Sequence, residues 1–296
     1  MRFFKMRVLL PVAVLCAAGT AQANWVTLDF PGATRTAASG IDGGKIVGVY
    51  EDALRRHAFV CDGSIWKTLD FPGAYATSGV GIDGEKIVGF YEDASGIRHG
   101  FLYDGTIWAT LDVPEGTHTR AYDIDGGNIV GNYDDVHGNR HGYLYDGTTW
   151  TSLDAPAATV TKAYGIDGDN IVGYYGDGSG SHGFLYREAL WSTIDVPGAK
   201  NSWARSVSNG NIAGYFIDAS GLHGFVYDGV AWTTLDFPGA GSTLAYGIDG
   251  DNIVGFYKYA SGDWHAFIYT VPEPGTVLLL GLGGLALLRR RGAGGR

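Results

Sequence analysis

Five histidines in this chain are each followed, thirteen residues later, by an aspartate, and a carboxylate beside an imidazole can orient it for general-base catalysis. A sixth histidine has its counterpart near the opposite end of the chain. The pairs are His57 with Asp70, His99 with Asp112, His141 with Asp154, His182 with Asp195, His223 with Asp236, and His265 with Asp29. Because an active site needs one asymmetric constellation, six equal copies favour cross-strand hydrogen-bonded clamps, with catalysis as the alternative.

The elements that must position these pairs form a repeat. Tryptophan recurs at intervals of 41, 42, 42, 41 and 41 residues, and each tryptophan begins a similar sequence segment. The six positions are Trp25, Trp66, Trp108, Trp150, Trp191 and Trp232. Asp-Gly turn signals separate short runs of β-forming residues, which predicts four antiparallel strands in each unit of about 42 residues. A hairpin loop at residues 104–107 would set His99 opposite Asp112 on one face of the sheet.

Four antiparallel strands repeated at this period are typical of a β-propeller blade. The chain has one lone strand at its beginning, within residues 25–30, and three strands at its end, within residues 244–270, that lack a fourth. Pairing the first strand with the last three gives six complete blades. We therefore predict an all-β fold over residues 24–270, a six-bladed β-propeller of four-stranded blades closed by the N-terminal strand. An open repeat stack is the alternative.

Both ends of the chain have the composition of targeting segments. Residues 1–23 combine a basic start, an apolar run and small residues before Asn24, which predicts a signal peptide with a short helix. Residues 271–296 contain a second apolar run, at 275–288, which as a helix is too short to span a bilayer. The run is preceded by a Pro-Glu-Pro sequence and followed by an arginine cluster, in the residues Pro272, Glu273, Pro274, Arg289, Arg290 and Arg291.

This C-terminal pattern resembles the PEP-CTERM sorting signal of Gram-negative bacteria, in which a Pro-Glu-Pro motif, a short hydrophobic helix and a basic tail are read by an exosortase. The resemblance implies an exosortase-type partner, a precursor transiently inserted in the inner membrane, and a final place at the cell surface or outside the cell. The resemblance concerns the sorting of the protein, not its activity, and it covers only the last 26 residues or so. An ordinary membrane tether is the alternative.

The charge of the part between the two ends limits its partners. Without the seven basic residues and one acidic residue of the ends, the 21 basic and 31 acidic residues become 14 and 30, a net charge of −16. Nucleic acids and anionic lipid surfaces are therefore poor partners, since phosphate contacts need a basic face. Cations, neutral glycans and basic surfaces remain. Only Cys61 is left in this part, so it can form no internal disulfide.

One Asp-Gly turn raises the question of a metal. Asp123, Asp125 and Asn128 alternate as oxygen donors, like the start of a calcium loop, but the bidentate glutamate of an EF-hand is absent. Asp-Gly is also what a tight turn requires, because glycine accepts a positive φ. We predict turn geometry and no cofactor, with calcium as the alternative.

Positions that depart from the repeat are the candidates for a binding site, since a ring of equal blades has no single site. Trp203 and Arg205 stand where the last unit has Leu244 and Tyr246, and Trp264 is a further extra aromatic residue. An exposed tryptophan beside an arginine can stack on a sugar ring while the guanidinium binds hydroxyl groups. Two interpretations stay open: ligand binding at these three residues, and filling of a gap between blades by the tryptophan.

The repeat resembles a bacterial extracellular family named for its His-Ala-Phe motif. This motif occurs at residues 57–59 and 265–267 and becomes His-Gly-Phe or His-Gly-Tyr in the other four units. The resemblance implies an exported repeat protein and supplies no catalytic residues. Together these observations favour a non-catalytic binding module in an exopolysaccharide setting, with an extracellular glycan as ligand. A propeller glycosidase or polysaccharide lyase and a purely structural matrix protein are the alternatives.

Overall fold

The computed structural model describes residues 24–260 and 262–271, and every regular element in these ranges is a β-strand. The strands are β1 (Asn24–Leu28), β2 (Arg35–Asp42), β3 (Lys45–Glu51), β4 (Arg56–Cys61), β5 (Trp66–Leu69), β6 (Ala76–Asp83), β7 (Lys86–Glu92), β8 (Arg98–Tyr103), β9 (Trp108–Leu111), β10 (Arg120–Asp125), β11 (Asn128–Asp134), β12 (Arg140–Tyr145), β13 (Trp150–Leu153), β14 (Val160–Asp167), β15 (Asn170–Gly176), β16 (Ser181–Arg187), β17 (Leu190–Thr193), β18 (Asn201–Ser208), β19 (Asn211–Ile217), β20 (Leu222–Tyr227), β21 (Trp232–Leu235), β22 (Ser242–Asp249), β23 (Asn252–Lys258) and β24 (Trp264–Thr270). The all-β prediction is confirmed. The predicted signal peptide and the sorting segment lie outside the described residues.

Consecutive strands pair antiparallel in units of four, which we number one to five from β2–β5 to β18–β21. In unit six, β22–β24 pair with one another and β1 pairs with β24, so that Trp25 lies opposite Tyr269. Single parallel bridges join units three and four and units five and six. Strand β2 of unit one contacts all three strands β22–β24 of unit six. No helix in the described part of the chain is long and apolar enough to span a membrane.

Turn chemistry in the sequence accounts for the hairpins. In unit two, Asp83 pairs with Lys86 across a two-residue turn in which Gly84 has a φ of +60°. In the outer hairpin, Asp104 Oδ1 accepts hydrogen bonds from the backbone N–H groups of Thr106 and Ile107, at 2.8 and 2.7 Å. An aspartate that folds back in this way fixes the turn without any partner outside it.

The core lies where the sheets face one another. One large ring per unit is almost completely buried, in the set Phe59, Phe101, Tyr143, Phe184, Phe225 and Phe267. Each ring packs on a glycine of the neighbouring strand. A Cβ on Gly89 would lie 2.0 Å from the carbonyl oxygen of Ser78 and 2.9 Å from the ring of Phe101. The Ile-Val-Gly element of the repeat therefore ends in glycine because the core has no room for a larger residue.

The side chain at the end of the first strand of each unit links that unit to the next one. In five units an aspartate accepts a hydrogen bond from the backbone N–H of the following turn, and in unit five a serine does so, at 2.7 to 3.3 Å. The donor–acceptor pairs are Gly84 to Asp42, Gly126 to Asp83, Gly168 to Asp125, Asn209 to Asp167, Gly250 to Ser208, and Gly43 to Asp249. The last pair links unit six to unit one.

The first strand of every unit contains a β-bulge at the same position. The register shifts by one residue there, and the extra residues are Ser39, Val80, Tyr122, Tyr164, Arg205 and Tyr246. A bulged residue leaves the ladder and changes the direction of its side chain. These six side chains lie together around the middle of the structure, where they line the cavities described below.

Candidate functional site

The six His-Asp pairs lie at equivalent places on the outer hairpins. In every pair Nδ1 of the imidazole lies 2.7–3.0 Å from a carboxylate oxygen of the aspartate, including His265 and Asp29 between the two ends of the described chain. Each imidazole also stacks on or against an aromatic ring of the preceding strand, for example His99 on Tyr91 at 5.1 Å between ring centroids. The hydrogen bond with Asp195 raises the pKa of His182. Nothing in this geometry distinguishes one pair as a reaction centre, and their role as clamps stays a prediction.

The three unrepeated residues singled out in the sequence do not form one exposed platform. Arg205 is the bulged residue of β18 and is only 8% exposed. Trp203 is half-buried and packs on Tyr215, with 5.0 Å between the ring centroids. Trp264 is half-buried against Phe256 at 4.6 Å. Trp203 and Arg205 therefore have different surroundings, although they lie only two residues apart on β18.

Arg205 and Trp264 instead line a cavity of about 570 Å³, which does not include Trp203. Two kinds of side chain dominate its wall. The cationic residues are Arg35, Arg56, Arg98, Arg120, Arg140, Lys162 and Arg205, and the aromatic residues are Tyr50, Phe90, Tyr122, Tyr246, Phe256 and Trp264. We call this space the cationic cavity. Its volume is in the range of sites that hold small ligands.

The asymmetry of the cationic cavity comes from two strand positions at which the units differ. The third strand of each unit begins, in chain order, with Arg56, Arg98, Arg140, Ser181, Leu222 and Trp264. Two residues before the bulge, the first strand has Ala37, Ser78, Arg120, Lys162, Trp203 and Leu244. At these two positions the cations come from units one to four, whereas units five and six have apolar and aromatic side chains, of which Trp264 lines the cavity. Unit five adds a cation at another position, the bulged Arg205. Sequence reasoning missed the cationic side, although the break in the repeat at these columns was visible.

The cationic side of the cavity carries more positive charge than its ion pairs neutralise. Glu51 lies 3.3 Å from Arg35 and 3.7 Å from Arg56, and Glu92 lies 2.7 Å from Arg98. In unit three, Asp134 lies 2.6 Å from Arg140 and 3.7 Å from Arg120. Three carboxylates thus pair with five arginines, while Lys162 and Arg205 have no ion-pair partner among the described residues. The excess charge makes the cavity attractive to anions.

The environment of Lys162 reflects this excess. The pKa of Lys162 is lowered to about 8, mainly by burial and then by the neighbouring charges of Arg140, Arg205 and Arg120, against a smaller opposing effect of Asp134. Burial likewise lowers the pKa of the Arg120 guanidinium, which stays protonated. A lysine whose charge is disfavoured in this way gains from any anion that enters the cavity.

Arg205 is held between aromatic rings. The guanidinium carbon lies 3.6 Å from the ring centroid of Tyr164 and 4.0 Å from that of Tyr246, with Tyr122 farther away at 5.8 Å. Ring faces stabilise the cation but offer no hydrogen-bond acceptor in its plane. Nε of Arg205 is buried and has no hydrogen-bond partner among the described residues.

A second cavity, of about 250 Å³, shares Arg205, Tyr122 and Tyr246 with the first and is lined by the aspartates that link the units. Asp123 also lies there, at a position that is glycine in four other units and Ser206 in unit five. Its Oδ2 accepts a hydrogen bond from the N–H of Ile166 in the next unit at 3.0 Å. Burial raises the pKa of Asp123 to about 7, although the backbone hydrogen bonds oppose this change.

The proposed calcium ligands have other partners in the structure. Asp125 accepts the hydrogen bond from Gly168, and Asp123 accepts those from Ile124 and Ile166. Within residues 24–260 and 262–271, no three histidine, cysteine or acidic side chains converge as metal ligands. The turn has the predicted geometry, with Asp125 opposite Asn128 and positive φ at Gly126 and Gly127. Calcium at this turn stays an untested alternative.

Comparisons with known proteins identify one motif and the type of fold. The family model of the PEP-CTERM protein-sorting motif matches residues 270–291. No curated protein sequence matches the chain. The β-propeller domain of the Trilobed protease from Pyrococcus furiosus is 9% identical with a TM-score of 0.53, covering 81% of this chain and 94% of that domain.

Two further solved structures are similar. SapL1 lectin in complex with alpha methyl fucoside is 13% identical with a TM-score of 0.52, covering 82% of this chain and 98% of the lectin. An acylaminoacyl peptidase is also 13% identical, with a TM-score of 0.56; the match covers 83% of this chain but only 46% of the peptidase. At these identities the likeness shows the fold alone, which is propeller-like.

Proposed function

We propose that the chain is an exported six-bladed β-propeller, closed by β1 on β24, that acts as a non-catalytic binding module for an extracellular glycan. The cationic cavity is its binding site. The observation that carries this proposal is the unequal contribution of the units: cations from units one to five meet an aromatic wall of Tyr246, Phe256 and Trp264 from unit six in one space of about 570 Å³. A purely structural ring would need no such difference between its units.

The aromatic side of the cavity suits a sugar ring. The ring centroids of Tyr246 and Phe256 lie 5.0 Å apart, and those of Phe256 and Trp264 lie 4.6 Å apart. Together they form a continuous apolar wall that a pyranose face can contact, while hydroxyl groups reach the polar side. The lectin likeness is compatible with this use of the fold but adds no evidence for a particular sugar.

Export places this binding site outside the cell. The sorting motif at residues 270–291 suggests export and processing at the membrane. We propose that residues 1–23 are removed on secretion, that an exosortase-type enzyme processes residues 271–296 while the precursor is in the inner membrane, and that residues 24–270 reach the cell surface of a Gram-negative bacterium. An exopolysaccharide outside the cell then supplies the glycan. Intact-mass measurement of the protein in cells with and without the exosortase tests this order of events.

A glycan array probed with the purified full chain tests the binding function. Two tryptophans give a matched pair of variants: Trp264→Ala removes part of the cavity wall, whereas Trp203→Ala removes a tryptophan that packs outside it. We expect the wild type and Trp203→Ala to bind the same glycan, and Trp264→Ala to bind it about tenfold more weakly or not at all. Binding lost in Trp203→Ala alone would place the site at Trp203 and Tyr215 of unit five, outside the cationic cavity. No binding by any form would favour a structural matrix protein.

A further inference from the structure

The charge of Arg205 is unmatched in the structure, and this feature identifies the chemistry of the ligand. Arg205 is 8% exposed and makes no hydrogen bond or ion pair with any described residue, and its Nε is buried. Burying a guanidinium without an acceptor is unfavourable, because the group gives up its hydration and gains nothing in the plane of its N–H bonds. Arginine at such a place is expected to meet an acceptor that arrives with a ligand.

No nearby acid serves as that acceptor. Asp123 lines the second cavity together with Arg205, but it lies beyond ion-pair distance, and both its oxygens accept backbone hydrogen bonds. The carboxylates at the cationic cavity, such as Glu51 and Asp134, are paired with other arginines. The faces of the guanidinium are covered by Tyr164 and Tyr246, which leaves its edge as the free recognition surface. A planar edge of N–H donors matches a carboxylate or sulfate group.

The rest of the cavity extends the same preference. Lys162 and Arg120 lie two residues before the bulge in units four and three, and both line the cavity that Arg205 enters. On the opposite side stand Tyr246, Phe256 and Trp264, which offer rings rather than charges. A ligand that fits both sides has an acidic group and an apolar face within the length of one or two sugar rings. Acidic saccharides combine these two features.

We propose that the cationic cavity binds an acidic saccharide, whose carboxylate or sulfate group pairs with the edge of Arg205 while a sugar face lies against Trp264 and Phe256. This inference rests on the proposed glycan-binding function and narrows it to one chemical class. It also resolves an apparent conflict: the body of the protein has a net charge of −16, yet its cavity is cationic. The acidic exterior repels polyanions from other surfaces, so that acidic groups are accepted only in the cavity.

Isothermal titration calorimetry on the full chain tests the proposal with three probes. The first is a short oligouronate, the second is the same oligosaccharide with its carboxylates reduced to alcohols, and the third is a sulfated neutral oligosaccharide. We expect the oligouronate or the sulfated probe to bind roughly 10- to 100-fold more tightly than the reduced probe, as a charge-assisted hydrogen bond in a half-enclosed site would give. The two acidic arms identify which acid group fits. Equal affinity for the reduced probe and both acidic probes overturns the proposal.

Variants locate the effect. Arg205→Tyr places at this bulge the residue that three other units carry there, in Tyr122, Tyr164 and Tyr246, so the fold is expected to accept it. It should lower affinity for the acidic probe roughly 10- to 100-fold more than it lowers affinity for the reduced probe. Lys67→Ala, which removes an exposed cation outside the cavity, should change affinity less than about twofold. Unchanged acidic-probe affinity in Arg205→Tyr overturns the proposal.

The remaining outcomes separate this inference from the function on which it rests. Binding of the reduced probe alone, lost in Trp264→Ala, overturns the acidic preference and leaves a neutral glycan-binding module. Binding of inorganic phosphate that depends on Arg205, without binding of any saccharide, overturns the saccharide class. If none of the probes binds and the glycan array is also blank, both proposals fail. Circular dichroism melting of each variant confirms that a loss of binding does not reflect unfolding.

Discussion

Replacing Asp123 by serine should make the protein less sensitive to rising pH. Burial raises the pKa of Asp123 from 3.8 to about 7. The serine at the equivalent place in unit five shows that the exchange can be made within the fold, because Ser206 Oγ accepts the N–H of Ile248 at 3.3 Å just as Asp123 accepts the N–H of Ile166. The substitution therefore keeps the link between units and removes only the titrating group.

The sign follows from where the proton is bound. Between pH about 4 and 7 the unfolded chain has lost the proton of Asp123, whereas the folded chain retains it, so folding takes up a proton and stability falls as the pH rises. Below this window both states are protonated, and above it both are ionised. The wild type therefore bears the whole cost of the buried charge near pH 8 and none of it near pH 4.

The magnitude follows from the size of the change. A tenfold change in an ionisation constant corresponds to about 1.4 kcal/mol. Raising the pKa from 3.8 to about 7 sets a ceiling of about 4 kcal/mol on the effect. Since Asp123 is partly exposed to the second cavity, where water screens its charge, we expect about 1–2 kcal/mol.

Urea unfolding of the wild type and Asp123→Ser from pH 4 to 8 measures this difference. The gap between the two free energies of unfolding should grow by about 1–2 kcal/mol in favour of the variant as the pH rises. Asp249→Ser is a matched control: it copies Ser208 of unit five at another linking aspartate, and Asp249 is not among the charges that raise the pKa of Asp123. Parallel profiles for the wild type and Asp123→Ser would refute the reasoning.

Three further predictions concern the core, the clamps and the cavity. Gly89→Ala should lower the free energy of unfolding by about 2–4 kcal/mol in urea titrations, because its Cβ overlaps a backbone carbonyl, whereas Gly178→Ala, which meets open space, should change it by less than about 0.5 kcal/mol. Asp29→Ala should cost about 0.5–1 kcal/mol by the same assay, because it leaves His265 without its half-exposed partner; no loss would argue against a clamp. Affinity for the acidic saccharide should fall roughly two- to fivefold in calorimetry as the pH passes about 8, because Lys162 then loses its charge, and a flat profile would exclude Lys162 from binding.

The strands were predictable because the same pattern of turn residues and strand residues recurs six times. Asp-Gly turns, alternating side chains and the recurring tryptophan placed His99 opposite Asp112, and the structure has that register, with Gly100 opposite Leu111 and Phe101 opposite Thr110. The solvent exposure of individual side chains was not predictable from the sequence. Arg205 was expected to bind a ligand beside an exposed tryptophan, but its side chain is buried between the rings of Tyr164 and Tyr246.

The candidate site was predictable only in part, because the features that form it come from different units. Reading one unit at a time draws attention to the altered residues of unit five, and Trp203 is the most conspicuous of these. Reading one column across all units shows instead that Arg56, Arg98 and Arg140 give way to Trp264 in unit six. In isolation each of these arginines resembles an ordinary charged residue at the start of a strand. Only the structure shows that they line one cavity together.

A substitution at one repeat position therefore has different effects at the outer hairpins and in the middle of this fold. At the outer hairpins, equal residues such as His and Asp act separately in each unit, and a change in one unit affects one hairpin. In the middle, the six bulged residues line a space that all units share: Ser39, Val80, Tyr122, Tyr164, Arg205 and Tyr246 line the second cavity, and all of them except Tyr164 also line the cationic cavity. A substitution at one bulged residue therefore changes a space shared by several units and leaves the outer hairpins intact.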